Sequence, residues 1–367
     1  VKPISLAFDA KRAFHNSTGL GNYSRFVLSG LAEQFPSEKY ALMSPEKASL
    51  FLKRSKLLEE VLPQGLGQLS PSFWRSFSMS EQLKKMGAQL FHGLSNELPT
   101  GLRKNGIASV VTIHDIIFES HPQYYNPIDR LTYAWKFKKA ALNADLVFSV
   151  SEYTSKQLQE RYQIPENKIQ VHYQSCHPAF YTANKSSPEP IFKLPSNYLL
   201  SVGTIEERKN LLHILKAIQN LDIPLVVVGR GKKYLEKCHA FIQQNKMESR
   251  VHFIERIEID QLVQVYQKAS AFVYPSRIEG FGIPIIEALF SKCPVITTHG
   301  GVFSEAGGPS SYYVNPESSD SIREGILLAL NTSDREEKIA AGLKYAQENF
   351  LPKPLIQNIM QSYRSLL

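Results

Sequence analysis

The sequence predicts an α/β protein of two doubly wound domains with a cleft between them. Three observations carry this. Short apolar runs alternate with amphipathic helical stretches in both halves of the chain, the pattern of parallel sheets covered by helices on both faces. The 367 residues exceed what one ordinary core organises. The alternation is interrupted at TANKSSPEPIFKLPSN (182–197), which holds three prolines and little periodicity.

Taken in order, ISLAFDA (4–10) reads as the first strand. The glycine-containing loop FHNSTGLGNYSRF (14–26) follows, and Tyr23, Phe26, Val27, Gly30, Leu31 and Phe35 then recur at helical spacing. YALMSP (40–45), AQLFHG (88–93), IASVVTIH (107–114) and ADLVFSVS (144–151) are strand-like, with the amphipathic helix DRLTYAWKFKKAALN between the last two. After the proline-rich segment the strands NYLLSVGTI, IPLVVVG, VHFIER, AFVYPS and CPVITTH alternate with the helices LLHILKAIQNL, KYLEKCHAFIQQ, DQLVQVYQKA and PIIEALF. The expected organisation is a first domain at 1–181, a linker at 182–197, a second domain at 198–349, and a helix at 350–367 packing back on the first domain.

Composition narrows the classes. Hydrophobic content of 43% with 21% charged residues excludes a disordered chain. No run approaches the ~18 apolar residues of a membrane span. The opening VKPISLAFDAKR is too short and too polar for an export signal, so a cytoplasmic setting is expected. Cys176, Cys238 and Cys293 are sparse and unpaired by spacing, which fits a reducing compartment and neither a disulfide framework nor a zinc site. The net charge of +8 is uneven: residues 1–180 hold 21 basic against 15 acidic side chains, and residues 181–367 hold 21 against 19. A basic first half suits anionic lipid, an acidic substrate or nucleic acid, or is an ordinary solvated surface.

In open parallel sheets ligands bind off the carboxyl ends of strands, so residues just after strands are the candidates. SRIEGFGIPIIEAL (276–289) places Glu279 and Glu287 around Gly280 and Gly282, with Pro284 suited to the first turn of a helix. Such a loop lets a ligand approach the backbone and offers helix N–H groups to a phosphate. Glu287 also has a plain explanation, a carboxylate near the positive end of a helix. SVGTIEERKNLL (201–212) puts Arg208 and Lys209 after the strand ending at Gly203, where two cations meet a diphosphate, with Asn210 placed to cap the next helix. VVTIHDIIF (110–118) ends a strand at His114. Gly19 and Gly21 resemble a phosphate-cradling loop, but Ser24 stands where a dinucleotide fingerprint needs its third glycine.

Together these segments resemble the retaining glycosyltransferases of GT-B fold, most closely glycosyltransferase family 4. EGFGIPIIE is similar to that family's E-x7-E motif, VGTIEERKNL to its donor-phosphate segment, VTIHDIIF to its histidine segment and DAKRAFHNSTGLGNYSRF to its glycine loop. VSEYTSKQL (150–158) and KCPVITTHGGVFSEAGG (292–308) resemble it too, so the likeness runs along nearly the whole chain.

The resemblance implies two Rossmann-like domains and a role for each candidate. Glu279 would bind donor-sugar hydroxyls, and the backbone from Gly280 through Phe281 and Gly282 to Ile283 would touch sugar and diphosphate. Glu287 would hold the ribose, and Arg256–Ile257 the base. Arg208 and Lys209 would neutralise the leaving diphosphate, with Gly203 beside them. His114 would reach the donor sugar, and Gly19 and Gly21 would admit phosphates and acceptor. It also implies retention by a front-face route, in which the departing diphosphate takes the acceptor's proton. Asn22 and the stretch YQSCHPAF (173–180) depart from the family pattern.

The expected partners are a nucleotide-sugar donor, GDP-mannose first, and a glycan or lipid-linked acceptor, without nucleic acid. No cofactor or metal is expected, since the chain lacks a DxD carboxylate pair. Rival readings are a UDP-sugar-dependent member, a non-catalytic nucleotide-sugar-binding relative and a dinucleotide oxidoreductase. The aromatic stretch PSFWRSFSM (71–79) suggests peripheral contact with anionic membrane at its inner face, and packed core is the equal alternative.

Overall fold

The computed structural model describes residues 5–49, 57–64, 68, 70, 73–182, 194–331 and 333–367. It forms two compact units, Val1–Ser175 with Pro352–Leu367, and Cys176–Leu351. Most of the proline-rich segment lies outside the described residues.

The first unit is built on seven parallel strands, β1 (Ser5–Asp9), β2 (Lys39–Met43), β3 (Leu58–Val61), β4 (Leu90–Gly93), β5 (Ala108–Ile113), β6 (Leu146–Ser149) and β7 (Ile169–Val171). Their order is β3-β2-β1-β4-β5-β6-β7. The helices that cover them are α1 (Lys11–His15), α2 (Gly19–Gln34), α3 (Met79–Lys85), α4 (Ile117–Ser120), α5 (Pro127–Asn143) and α6 (Glu152–Tyr162). Local chemistry sets their starts. Asn126 accepts from the Ile128 N–H at 2.9 Å with Pro127 in the first turn of α5, and Ser151 accepts from the Thr154 N–H at the start of α6.

The second unit holds a six-stranded parallel sheet of β8 (Leu199–Val202), β9 (Leu225–Val228), β10 (Val251–Ile254), β11 (Ala271–Tyr274), β12 (Val295–Thr298) and β13 (Tyr312–Val314), in the order β10-β9-β8-β11-β12-β13. Its helices are α7 (Ala179–Thr182), α8 (Leu211–Ile218), α9 (Lys233–Gln244), α10 (Ile259–Lys268), α11 (Ile283–Phe290), α12 (Gly301–Gly307), α13 (Ser319–Asn331) and α14 (Arg335–Phe350). The chain then returns to the first unit as α15 (Pro352–Arg364).

The three strands absent from the sequence reading, β3, β7 and β13, are all edge strands. An edge strand need not be apolar on both faces, so LEEV and IQV lack the continuous hydrophobic run that marks β5 or β9. The boundary between units falls after Ser175 rather than 181, because α7 sets Phe180 edge-on against Tyr266. Phe350 and Leu351 stay with the second unit, where Phe350 packs edge-on against Phe281.

One reading needs correction here. Gly19 and Gly21 are not a loop; both lie in the first turn of α2. What Gly21 supplies is a close approach: a Cβ there would stand 1.8 Å from the Asn16 carbonyl oxygen.

The core of the first unit is partly polar, with a hydrogen-bonded network at its centre. His92 bonds Tyr363 through Nδ1 (2.6 Å) and Thr112 through Nε2 (2.8 Å), and Tyr23 joins Thr112 at 2.9 Å. Tyr363 thereby ties α15 into the sheet, with Ile356 and Ile359 wholly buried beside it. Gly30 of α2 is the seat for Ile356: a Cβ at Gly30 would lie 2.6 Å from Ile356 Cγ1. Gly30→Ala is therefore expected to cost about 1–3 kcal/mol by overpacking, and Ile356→Ala about 2–5 kcal/mol through its cavity. The double variant should cost less than the two summed, by about 0.5–3 kcal/mol. Denaturant unfolding of the four proteins checks this; strict additivity would mean the two helices do not meet there.

Candidate active site

The second sheet reverses direction between β8 and β11: β9 and β10 are added beyond one, β12 and β13 beyond the other. This is the switch point at which connections diverge and leave a crevice off the strand ends. Both principal motifs lie there. Arg208 and Lys209 sit on the turn Glu207–Lys209 after β8, and Glu279 on the loop after β11. The loops are stitched together by the Arg277 N–H donating to the Arg208 carbonyl at 2.8 Å.

Glu279 is buried, and each carboxylate oxygen has a cation. Arg208 Nη1 lies 2.8 Å from Oε2 and Lys209 Nζ 2.6 Å from Oε1. Tyr274 and Ser276 also donate to Oε1, at 2.9 and 2.6 Å. Lys209 in turn donates to the Tyr274 oxygen and lies 4.9 Å from that ring's centroid. Arg208 is shared with Glu206, 2.7 Å from Nη2. Burial alone would raise the Glu279 carboxyl; Lys209 and Arg208 outweigh it and hold it down at about 2. Burial keeps the Tyr274 phenol well above its ordinary value, reinforced by Glu279, so it stays a donor.

The sequence reading of Glu279 as a carboxylate turned toward a ligand is thus incomplete, since its own cations already engage it. Asn210 departs from expectation as well. It starts α8 at φ 67° without a side-chain cap, and its Nδ2 instead donates to the carbonyls of Pro275 and Pro316, a second stitch across the switch point.

Gly282 starts α11 at φ +114°, with Ile285 Cδ1 3.2 Å from where a Cβ would stand. Only glycine takes that turn without strain, and it places the Ile283 and Pro284 backbone beside the Glu279 loop. Gly203 ends the β8 segment against the Lys209 side chain. Glu287, one turn into α11, accepts from Tyr266 at 3.0 Å. Burial raises its carboxyl to about 7, and Tyr266 opposes this only in part. Arg256 is exposed and Ile257 half-buried on the loop after β10, two strands from β8.

His114 and the two N-terminal glycines belong to the first unit. His114 follows β5 with its Nε2 donating to the Leu94 carbonyl at 2.9 Å, so Nδ1 is the acceptor. Its ring stands edge-on to Tyr23 at 4.7 Å, two residues beyond Gly21. Burial brings its pKa down to about 4, against the pull of Leu94, so the imidazole is neutral near pH 7. Trp74 of the aromatic stretch is core, with Nε1 donating to Gln82, whereas Phe73 and Phe77 are exposed and paired at 5.5 Å.

Tyr274, Ser276 and Tyr266 were not singled out from the sequence. Applying the strand-end rule to β1 would have found Asp9, which pairs with Arg75 at 2.6 Å; Arg75 continues to Glu97 at 3.3 Å. Among the described residues no group of three or more His, Cys, Asp or Glu side chains converges as a metal site.

Two parallel-sheet units, with paired cations and an acidic loop at a switch point, define a GT-B glycosyltransferase. Residues 39–177 match the family model for Glycosyltransferase Family 4 and residues 183–344 that for glycosyl transferases group 1; the chain belongs to these glycosyltransferases. It is 28% identical to O-antigen chain mannosyltransferase B of Escherichia coli over 271 residues, covering 71% of this chain and 70% of that one. It is 29% identical to O-antigen chain mannosyltransferase RfbU of Salmonella typhimurium over 220 residues, 59% of each. Sucrose-phosphate synthase from Thermosynechococcus elongatus shares the fold across 99% of both chains, with a TM-score of 0.74 at 18% identity.

The two carboxylates give opposite pH responses. Glu279→Gln leaves Lys209 without its carboxylate and Arg208 with Glu206 alone, and is expected to cost at most roughly 3–5 kcal/mol at neutral pH. Its native pKa is depressed, so the wild-type advantage is present above about 4.5 and lost as pH falls toward about 2. Glu287 is the reverse: with a raised native pKa it penalises the fold as pH rises from about 4.5 through about 7. Glu287→Gln should therefore raise the Tm at pH 8 and leave it unchanged at pH 4. Thermal melts of both variants across pH 2–8 check the signs, and parallel curves would show that neither group titrates as described.

Proposed function

We propose that this glycosyltransferase moves mannose from GDP-mannose to a hydroxyl of a glycan or lipid-linked acceptor, with retention at the anomeric carbon. The observation that carries the donor class is the Arg208–Lys209 pair on Glu279 at the switch point. Two fixed cations beside a helix start suit a diphosphate leaving group, which a neutral sugar alone does not require. The choice of mannose rests on the named mannosyltransferases among the relatives.

In this reading the diphosphate joins Glu279 on the two cations. Oε1 remains held by Tyr274 and Ser276, while the second lone pair of Oε2 accepts from a donor-sugar hydroxyl. Glu287, on its tyrosine, takes the ribose hydroxyls. His114 serves as a neutral hydrogen-bonding group rather than a base, since a pKa of about 4 leaves it weakly basic. Bond cleavage is then assisted by charge stabilisation and positioning, both assembled before the reaction. The C–O bond to the diphosphate breaks, the acceptor oxygen attacks from the same face, and its proton passes to the departing phosphate.

Two experiments test this. Arg208→Ala/Lys209→Ala is expected to weaken binding of GDP by ten- to a hundredfold per lost charged contact, at about 1.5–3 kcal/mol each, and that of guanosine little. Equal losses would remove the pair from the diphosphate. A panel of GDP-, UDP- and dTDP-sugars should give turnover with GDP-mannose, an α-linked product by anomeric NMR, and activity that survives EDTA. Turnover with a UDP-sugar instead would replace the donor, an inverted product would overturn the stereochemistry, and rescue by Mg²⁺ would overturn the cation argument.

A further inference from the structure

We infer that α5 is an interfacial helix that seats the first unit on an anionic lipid surface. The helix has two apolar faces. One is core: Ala140 and Ala141 are buried, and Ala134 and Phe137 pack with them against Val111, Ile113 and Phe118. The other points away from it. Ile128, Leu131, Trp135 and Leu142 are 75%, 68%, 62% and 48% exposed, more large apolar surface than any other described helix presents. At 100° per residue these four share an arc of about 60°, centred opposite Phe137. Single exposed hydrophobes are ordinary on a protein surface; an aligned row of four, one of them tryptophan, is not.

The flanks choose the occupant. Lys138 and Lys139 border the row on its two sides, both exposed, with Lys136 beyond Lys139. Lys139 Nζ lies 4.6 Å from the Trp135 ring centroid, which places the ammonium over the apolar edge. The helix carries four basic side chains, Arg130, Lys136, Lys138 and Lys139, against Asp129 alone. A second copy of this helix would bring like charge to the row, whereas phosphate headgroups bring the opposite charge above an apolar layer. No described helix is long and apolar enough to cross a membrane, so α5 lies in the plane, with its apolar row among the acyl chains and its lysines at the headgroups. The assignment stands apart from the transfer reaction, and it moves the lipid contact from the aromatic stretch at 71–79 to a helix not considered for it.

The chain's two tryptophans make the test direct. Trp74 is buried and Trp135 exposed, so vesicle binding should shift the Trp135 emission to the blue. With phosphatidylglycerol–phosphatidylcholine vesicles at low salt, the intact protein should co-sediment and show that shift. Lys138→Glu/Lys139→Glu should reduce partitioning at least about tenfold. Leu131→Ser/Leu142→Ser should abolish the shift with the thermal melt unchanged, and Phe77→Ser should change neither. No partitioning of the wild type, or loss on Phe77→Ser with the α5 variants unaffected, would overturn the assignment. So would concentration-dependent dimerisation in sedimentation velocity that Leu131→Ser/Leu142→Ser removes, since the row would then belong to a second copy.

Discussion

The carboxylate of Glu279 between Arg208 and Lys209 is the constraint on which the second unit's site depends. Three charges in a poorly solvated place are costly unless each is opposed and every remaining lone pair is used. That requirement explains the neighbours. Tyr274 and Ser276 complete Oε1, Glu206 takes the far side of Arg208, and the Tyr274 ring shields Lys209. The loops after β8 and β11 cannot drift apart without breaking the triad, and Asn210 repeats the stitch through two carbonyls. In the proposed reaction the same arrangement would be useful, because the cations are already in place and largely desolvated before an anion arrives, so little reorganisation would remain.

The first unit solves a related problem differently. Its sheet buries His92, Thr112 and Tyr23 with no formal charge, by closing a chain of hydrogen bonds that ends on Tyr363 of α15. Burial lowers both His92 and His114, so the polar core remains neutral near pH 7. A network of this kind is worth having only when every member is satisfied. It makes one helix at the far end of the sequence integral to a sheet whose strands all lie before residue 172.

Much of this was legible in the sequence. Alternation of period identified the class and nine consecutive elements, β8 to β12 with the helices between them, because central strands of parallel sheets are apolar on both faces. The edge strands β3, β7 and β13 escaped for the converse reason. The strand-end rule placed Arg208, Lys209 and Glu279 on one rim of the sheet, but only the strand order brings β8 beside β11 and so turns three candidates into one triad. Glycine misled where it served packing: Gly21 reads as a loop residue and is a helical residue pressed on the Asn16 carbonyl. The aromatic stretch divides between core and surface because its backbone is a π-helical turn, Trp74–Ser78, which sends Trp74 inward and Phe77 outward where an α-helical period would set them on neighbouring faces. Asp9 ends β1, where the strand-end rule points, but nothing local announces its partner Arg75, 66 residues away.

The membership of α15 in the first unit bears on how the chain is made. Ribosomal synthesis proceeds from the N-terminus, and the strands of the first sheet emerge long before the helix that closes its core. At roughly 5–20 residues per second, about 10–40 s separate Ser175 from Tyr363. During that interval His92 lacks Tyr363, and the bed around Gly30 lacks Ile356. The intervening segment, Cys176–Leu351, can complete its own sheet from contiguous residues. Nascent-chain order is thus inverted relative to sequence: the second unit is able to mature first, while the core of the first waits for α15 to complete it.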